Sequence, residues 1–163
     1  MKRLVLAMAA AVFAVAECGA SVTMPRVFGD NMVLQQGQSV PVWGKAAPGE
    51  KVTVSFAGQT ATATADAQGK WRLKLAPLKA CAEGAEFRVA GENALVFKNV
   101  VVGEVWFCSG QSNMEFTMSS RRKVKDWEKE VAAANWPLIR HFNVAHKISL
   151  EPLDDVEIGR AHV

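Results

Sequence analysis

From Val40 to Val101 apolar and polar side chains alternate with a period of two, the pattern of antiparallel strands that bury one face. Val52, Val54 and Phe56 share a face opposite Thr53 and Ser55. Gly58 turns the chain, and Ala61, Ala63 and Ala65 then alternate with Thr60, Thr62 and Thr64. After a second turn at Asp66-Ala67-Gln68-Gly69, Trp71, Leu73 and Leu75 alternate with Arg72 and Lys74. Phe87 and Val89 follow Gly84, and Leu95 and Phe97 follow Gly91-Glu92-Asn93. Short strands at this spacing predict a small β-sandwich over residues 21–101. Trp43 and Trp71 then serve either as core or interdomain anchors or as aromatic platforms for a sugar ring.

After Val102 the period changes. Val105 to Cys108 is a continuous apolar run that predicts a short buried strand, with Cys108 as a small buried hydrophobe. A polar loop leads to a predicted helix from Trp127 to Ala134, capped by Asp126, with Trp127, Val131 and Ala134 as its apolar stripe. Asn135 and Pro137 end it, and Leu138 to Val144 predicts a second strand. Strand, helix, strand is the opening of a parallel α/β sheet, expected over residues 102–156.

The junction carries the candidate chemistry, because the run ending at Cys108 gives way to the small polar turn Ser109-Gly110-Gln111-Ser112-Asn113. A serine at the carboxyl edge of a strand is where α/β folds place reacting groups, and it is also an ordinary turn or helix-capping residue. The hydrolase elbow G-x-S-x-G does not fit, since Met114 stands where the second glycine belongs.

Two longer motifs add to this. Gly103-Glu104-Val105-Trp106-Phe107-Cys108-Ser109-Gly110-Gln111-Ser112-Asn113-Met114, read with Phe28-Gly29-Asp30-Asn31-Met32-Val33-Leu34-Gln35-Gln36 and Val42-Trp43-Gly44, resembles the sialate O-acetylesterase family of SGNH-type carbohydrate esterases. The resemblance runs from about Met24 to Asp155. It implies that Ser112 is the nucleophile and, through its own N–H, one oxyanion donor, with Gly110, Gln111 and Asn113 supporting the turn or meeting substrate. It also implies a flavodoxin-like, SGNH-hydrolase three-layer α/β domain after the β-sandwich, and an acetylated sialic acid or other acetylated glycan as substrate. The family's later blocks, which hold the catalytic His and Asp and further oxyanion donors, have no match here. His141 and His146 are expected at the surface or a strand edge, and Asp154 and Asp155 in a solvated loop. The alternative of a different class is a non-catalytic carbohydrate-binding or scaffold protein.

The ends and the charge refine the picture. Lys2-Arg3 before the apolar run Leu4 to Ala16 reads as a secretory signal over residues 1–20, cleaved after Ala20, which makes the protein secreted or periplasmic. A lipoprotein signal anchored at Cys18 is the competitor, opposed by Glu17. The formal charge of +3 does not imply nucleic acid, because Arg121-Arg122-Lys123 is followed at once by Asp126, Glu128 and Glu130. Nor is a membrane partner expected after cleavage. Of the mature chain's cysteines, Cys81 is expected in a loop; it and Cys108 are too few for a disulfide framework or a metal site, though a single bridge between them stays open. No cofactor or metal is expected. Residues 157–163 break the preceding pattern and match the translation of a common sequencing-library adapter, so they are expected to be a non-native tail on an N-terminal fragment that is inactive alone. Mass spectrometry of the exported protein should find Ser21 as its first residue. An intact Met1, or a lipid on Cys18, overturns that expectation.

Overall fold

The computed structural model describes residues 21–119 and 124–160. The expected export signal over residues 1–20, Arg121-Arg122-Lys123 and His162 lie outside the described residues. The fold is mostly β. A five-stranded sheet has the order β1-β7-β6-β3-β4, and β2 and β5 form a second, two-stranded sheet. The strands are β1 (Val33–Gln35), β2 (Val40–Lys45), β3 (Lys51–Phe56), β4 (Gln59–Thr64), β5 (Lys70–Leu75), β6 (Cys81–Ala90) and β7 (Ala94–Gly103).

The alternation in the sequence sets which faces meet. Val40, Val42, Trp71, Leu73 and Leu75 of the small sheet are buried with Val52, Val54, Phe56, Phe87, Val89, Val100 and Val102 of the large one, in a single core cluster. Phe87 is its aromatic hub, with ring centroids 5.6 Å from Phe56 and 6.3 Å from both Phe28 and Phe97. Trp71 is a core residue, whereas Trp43 lies half-exposed on the outer face and meets Phe28 edge-on at 4.9 Å. Turn chemistry falls where expected: Ala57 and Gly58 both take positive φ between β3 and β4, and Asp66 Oδ1 accepts the N–H groups of Gln68 and Lys70.

Two features of the large sheet were not expected. The three-residue β1 pairs in parallel with the end of β7, Val33 opposite Val101 and Gln35 opposite Gly103. The β6–β7 ladder also breaks register twice, between Cys81 and Ala85 and between Ala85 and Phe87, where Asn99 of β7 adopts φ 54. A left-handed residue inserts itself into the ladder as a bulge, and asparagine tolerates that conformation better than most residues. Gly84 makes it fit, since a Cβ there would lie 2.1 Å from Asn99 Oδ1. Cys81 accordingly begins β6 and is not in a loop, and β7 runs past the boundary expected at residue 101.

Beyond Gly103 several expectations are corrected. Val105 to Cys108 is not a strand and is exposed, Trp106 by 82% and Phe107 by 92%. Cys108 is exposed too, and both it and Cys81 are free thiols. A lone strand has no ladder to pair with, and none of the described residues offers this run one. Of Leu138 to Val144 only Asn143–Val144 is extended (β8), pairing antiparallel with Ile158–Arg160 (β9) in place of a parallel neighbour. The helix α1 (Trp127–Ala133) does form, but it buries none of its residues, and Asp126 stands before it in a left-handed conformation without a side-chain cap.

The core's dependence on its aromatic hub is testable. Phe87→Ala should cost about 3–5 kcal/mol, the usual scale for removing a buried aromatic ring. Denaturant unfolding followed by tryptophan fluorescence measures it, and a loss under about 1 kcal/mol would show that the hub does not carry the core.

Candidate functional site

Ser112 opens a four-residue 3-10 turn, Ser112–Glu115, whose closing hydrogen bond runs from Met114 N–H to the Gln111 carbonyl at 2.8 Å. That bond leaves the Ser112 N–H unused by the turn, because the first N–H groups of a helical turn have no partner within it. Gly110, Gln111, Ser112 and Asn113 are all exposed. Met114, the residue that spoils the elbow pattern, folds back over Gly110: a Cβ at position 110 would lie 2.8 Å from Met114 Cγ. A side chain at position 110 would displace the methionine, whose exposed and flexible side chain has room to yield.

No histidine, and no other side chain among the described residues, hydrogen-bonds the Ser112 hydroxyl. His141 is exposed, as expected. His146 is also exposed and lies with Nδ1 3.8 Å from Oε1 of Glu115, at the far end of the serine's own turn. Residues three apart in a 3-10 helix eclipse one another, so Glu115 stands on the same side of the turn as Ser112. The segment bearing His146 therefore passes beside the Ser112 turn, a juxtaposition that no sequence pattern announced.

Asp154 and Asp155 are exposed, as expected, but both are engaged by residues of the β-rich part. Lys45 Nζ donates to Asp154 Oδ2 at 2.9 Å, and the Arg26 N–H donates to Asp155 at 3.1 and 3.2 Å. The hydrogen bond and charge of Lys45, aided by the charge of Lys70, hold the Asp154 carboxyl below its ordinary value. Glu104, just before the apolar run, accepts from Gln36 and Gln35, and those two hydrogen bonds likewise lower its pKa.

A cleft of about 620 Å³ among the described residues lies elsewhere, lined by Met24, Phe28, Leu95, Phe97 and Ile158 together with Arg26 and Asp30. Ser112 does not line it. Its position reflects the gap between the amino-terminal segment and β7, and the cleft holds none of the expected chemistry.

No family model matches the chain. Among characterised proteins it is similar to the sialate O-acetylesterase of Mus musculus, 34% identical over 140 residues, which are 77% of this chain and 25% of that protein. The Homo sapiens sialate O-acetylesterase is 34% identical over 103 residues, 55% of this chain and 19% of that protein. Among solved structures it is similar to a carbohydrate acetylesterase from Xanthomonas citri, with a TM-score of 0.74 and 37% identity over 86% of this chain and 32% of that one. The chain is a member of the sialate O-acetylesterase-like family. It spans about a quarter of the length of the mouse relative, 25%.

In this sialate O-acetylesterase-like chain the four residues expected at the site are contiguous on one exposed turn. The sequence reading missed the neighbours of that turn, Glu115 with His146, and its tethers to the β-rich part, among them Glu104 and Asp154. The tethers carry an acid-sensitive prediction. A carboxylate whose folded pKa is depressed contributes stability above its unfolded value and loses it as pH falls through the folded value. Protease nicking around residues 145–157 should therefore accelerate as pH drops below about 4, the ordinary carboxylate range. Lys45→Ala should show the faster nicking already at neutral pH. Equal nicking rates for parent and variant at neutral pH would exclude the Lys45–Asp154 tether.

Proposed function

We propose that this chain carries the nucleophile of a secreted serine carbohydrate esterase that removes O-acetyl groups from sialic acid or a related acetylated sugar. The observation that carries the reading is the exposed Gly110-Gln111-Ser112-Asn113-Met114 turn in a chain 34% identical to a sialate O-acetylesterase and 37% identical to a carbohydrate acetylesterase. In this reading the β-rich part is a β-sandwich and residues 102–156 begin an SGNH-type α/β domain. The residues before Ser21 direct export. Ser112 Oγ attacks the acetyl carbonyl and loses its proton to a general base, while the Ser112 N–H donates to the developing oxyanion. The sugar oxygen leaves with a proton, and water then attacks the acetyl-serine to release acetate. Gln111 and Asn113 flank the nucleophile and hold its turn or meet the sugar.

A non-catalytic carbohydrate-binding or scaffold role finds its support in the apolar cleft formed by Met24, Phe28, Leu95 and Phe97, closed on one side by Ile158 of the expected tail and not lined by Ser112. One substitution separates the two readings. In the complete protein Ser112→Ala should lower turnover of a chromogenic acetyl ester by several orders of magnitude, about 10³-fold or more, with the unfolding midpoint unchanged. Activity within a few fold of the parent would remove Ser112 from the reaction.

A further inference from the structure

The motif at residues 28–36 forms no pocket around Ser112, yet its glutamine side chains reach the chain entering the Ser112 turn and its backbone carbonyls receive Arg140 of the segment that passes beside that turn. Gln35 Oε1 accepts the Val105 N–H at 2.8 Å, and Gln35 Nε2 donates to Glu104 Oε2 at 3.1 Å. Gln36 Nε2 donates to the other oxygen of the same carboxylate. These bonds fix the chain where it leaves β7 and runs toward Ser112. On the other side, the Arg140 guanidinium donates through Nη1 to the carbonyls of Asn31 at 3.0 Å and Asn99 at 2.6 Å, and through Nη2 to Asn99 Oδ1 at 3.3 Å.

The receiving surface for Arg140 is built for it. Asn31 and Asn99 are both left-handed, φ 63 and 54, and Asn99 Nδ2 donates to Asn31 Oδ1 at 2.7 Å. The Asn31 N–H donates to Lys98 O at 2.9 Å, and the Lys98 N–H to Asp30 Oδ1 at 2.7 Å, so the motif and the bulge of β7 are stapled together. A bulge turns carbonyls out of the ladder, and a planar cation with several donors is the side chain suited to collect them. Arg140 makes no ion pair with a carboxylate among the described residues. Its segment continues to His146, beside Glu115 of the serine's turn.

We propose that residues 30–36 act as a positioning clamp for the nucleophile turn: Gln35 and Gln36 hold the chain entering it, and Asn31 with Asn99 holds, through Arg140, the chain passing beside it. The β-rich part is then a scaffold of the esterase site and not a module that binds sugar independently. The effect on turnover rests on Ser112 being the nucleophile; the effect on chain order does not.

The test is hydrogen exchange of the whole protein together with kinetics on a chromogenic acetyl ester, for Gln35→Ala, Arg140→Ala, Arg140→Lys and Asn99→Gly. Gln35→Ala should speed exchange of the Val105 amide about tenfold, the scale of one lost hydrogen bond, and Arg140→Ala should do the same for residues 138–146. Amides of β2 and β5, which the clamp does not touch, should not change. In either alanine variant kcat should fall about tenfold while KM moves less than about threefold, because a misplaced nucleophile loses orientation before it loses binding. Arg140→Lys, which keeps the charge and some donors, should recover part of the loss. Asn99→Gly, which keeps the left-handed backbone and its carbonyl but loses the side-chain bonds to Arg140 and Asn31, should fall between the parent and Arg140→Ala in both exchange and kcat. Unchanged exchange at 105–119 and 138–146 in the Gln35→Ala/Arg140→Ala double variant overturns the clamp, as does acceleration spread evenly over β2 and β5. Should Ser112→Ala retain activity while exchange rises locally in the clamp variants, the clamp stands and the nucleophile assignment falls.

Discussion

The bend of β7 at Asn99 decides how the rest of the molecule attaches. Before it, β7 is an ordinary antiparallel partner of β6, with Phe97 opposite Phe87 and its apolar face in the core. After it, Val100, Val101 and Val102 are all buried, which a strand with one wet face cannot manage. The bulge shifts the register, and β1 adds itself in parallel along the edge that results. Because Asn99 turns its backbone outward, its carbonyl is available to Arg140. An unbroken ladder would have kept that carbonyl for β6.

Local periodicity was legible where each face had a partner within the chain. The alternations of β3, β5 and the second half of β6 became buried and exposed faces as read, and Gly58 and Asp66 to Gly69 turn the chain where their chemistry directs. β1 escaped notice because three residues carry no period, and its partner lies almost seventy residues away, at Val101. The bulge escaped because a single asparagine in a strand has no pattern of its own. Val105 to Cys108 shows the opposite failure. An apolar run states a demand for burial, but a strand also needs a ladder, and a ladder is a property of neighbours.

The same distinction separates the two halves of the candidate site. Ser112 and its neighbours are adjacent in sequence, so their grouping was legible from the motif alone. Glu115 with His146, Lys45 with Asp154, and Arg140 with Asn31 and Asn99 are long-range pairs, which a motif cannot encode. Both long motifs nonetheless sit at one junction: the first supplies Asn31, Gln35 and Gln36, and the second supplies Glu104 and Val105, which bond to the two glutamines. Two sequence signals far apart in the chain thus describe the two sides of one contact.

That contact matters because the Ser112 turn cannot hold itself. Ser112–Glu115 is a single 3-10 turn with long or isolated backbone bonds, 2.8 Å at Met114 and 3.4 Å at Phe116, and no buried residue. A turn of this length lacks both the cooperative hydrogen bonding of a helix and the burial that fixes most short elements. Its orientation must come from the chain on either side. Hydrolysis by serine needs the hydroxyl held within a fraction of an ångström of its line of attack, and a freely rotating turn forfeits most of that advantage. Polar tethers to a well-packed β core supply rigidity at the cost of a few hydrogen bonds, and leave the outer face of the turn exposed.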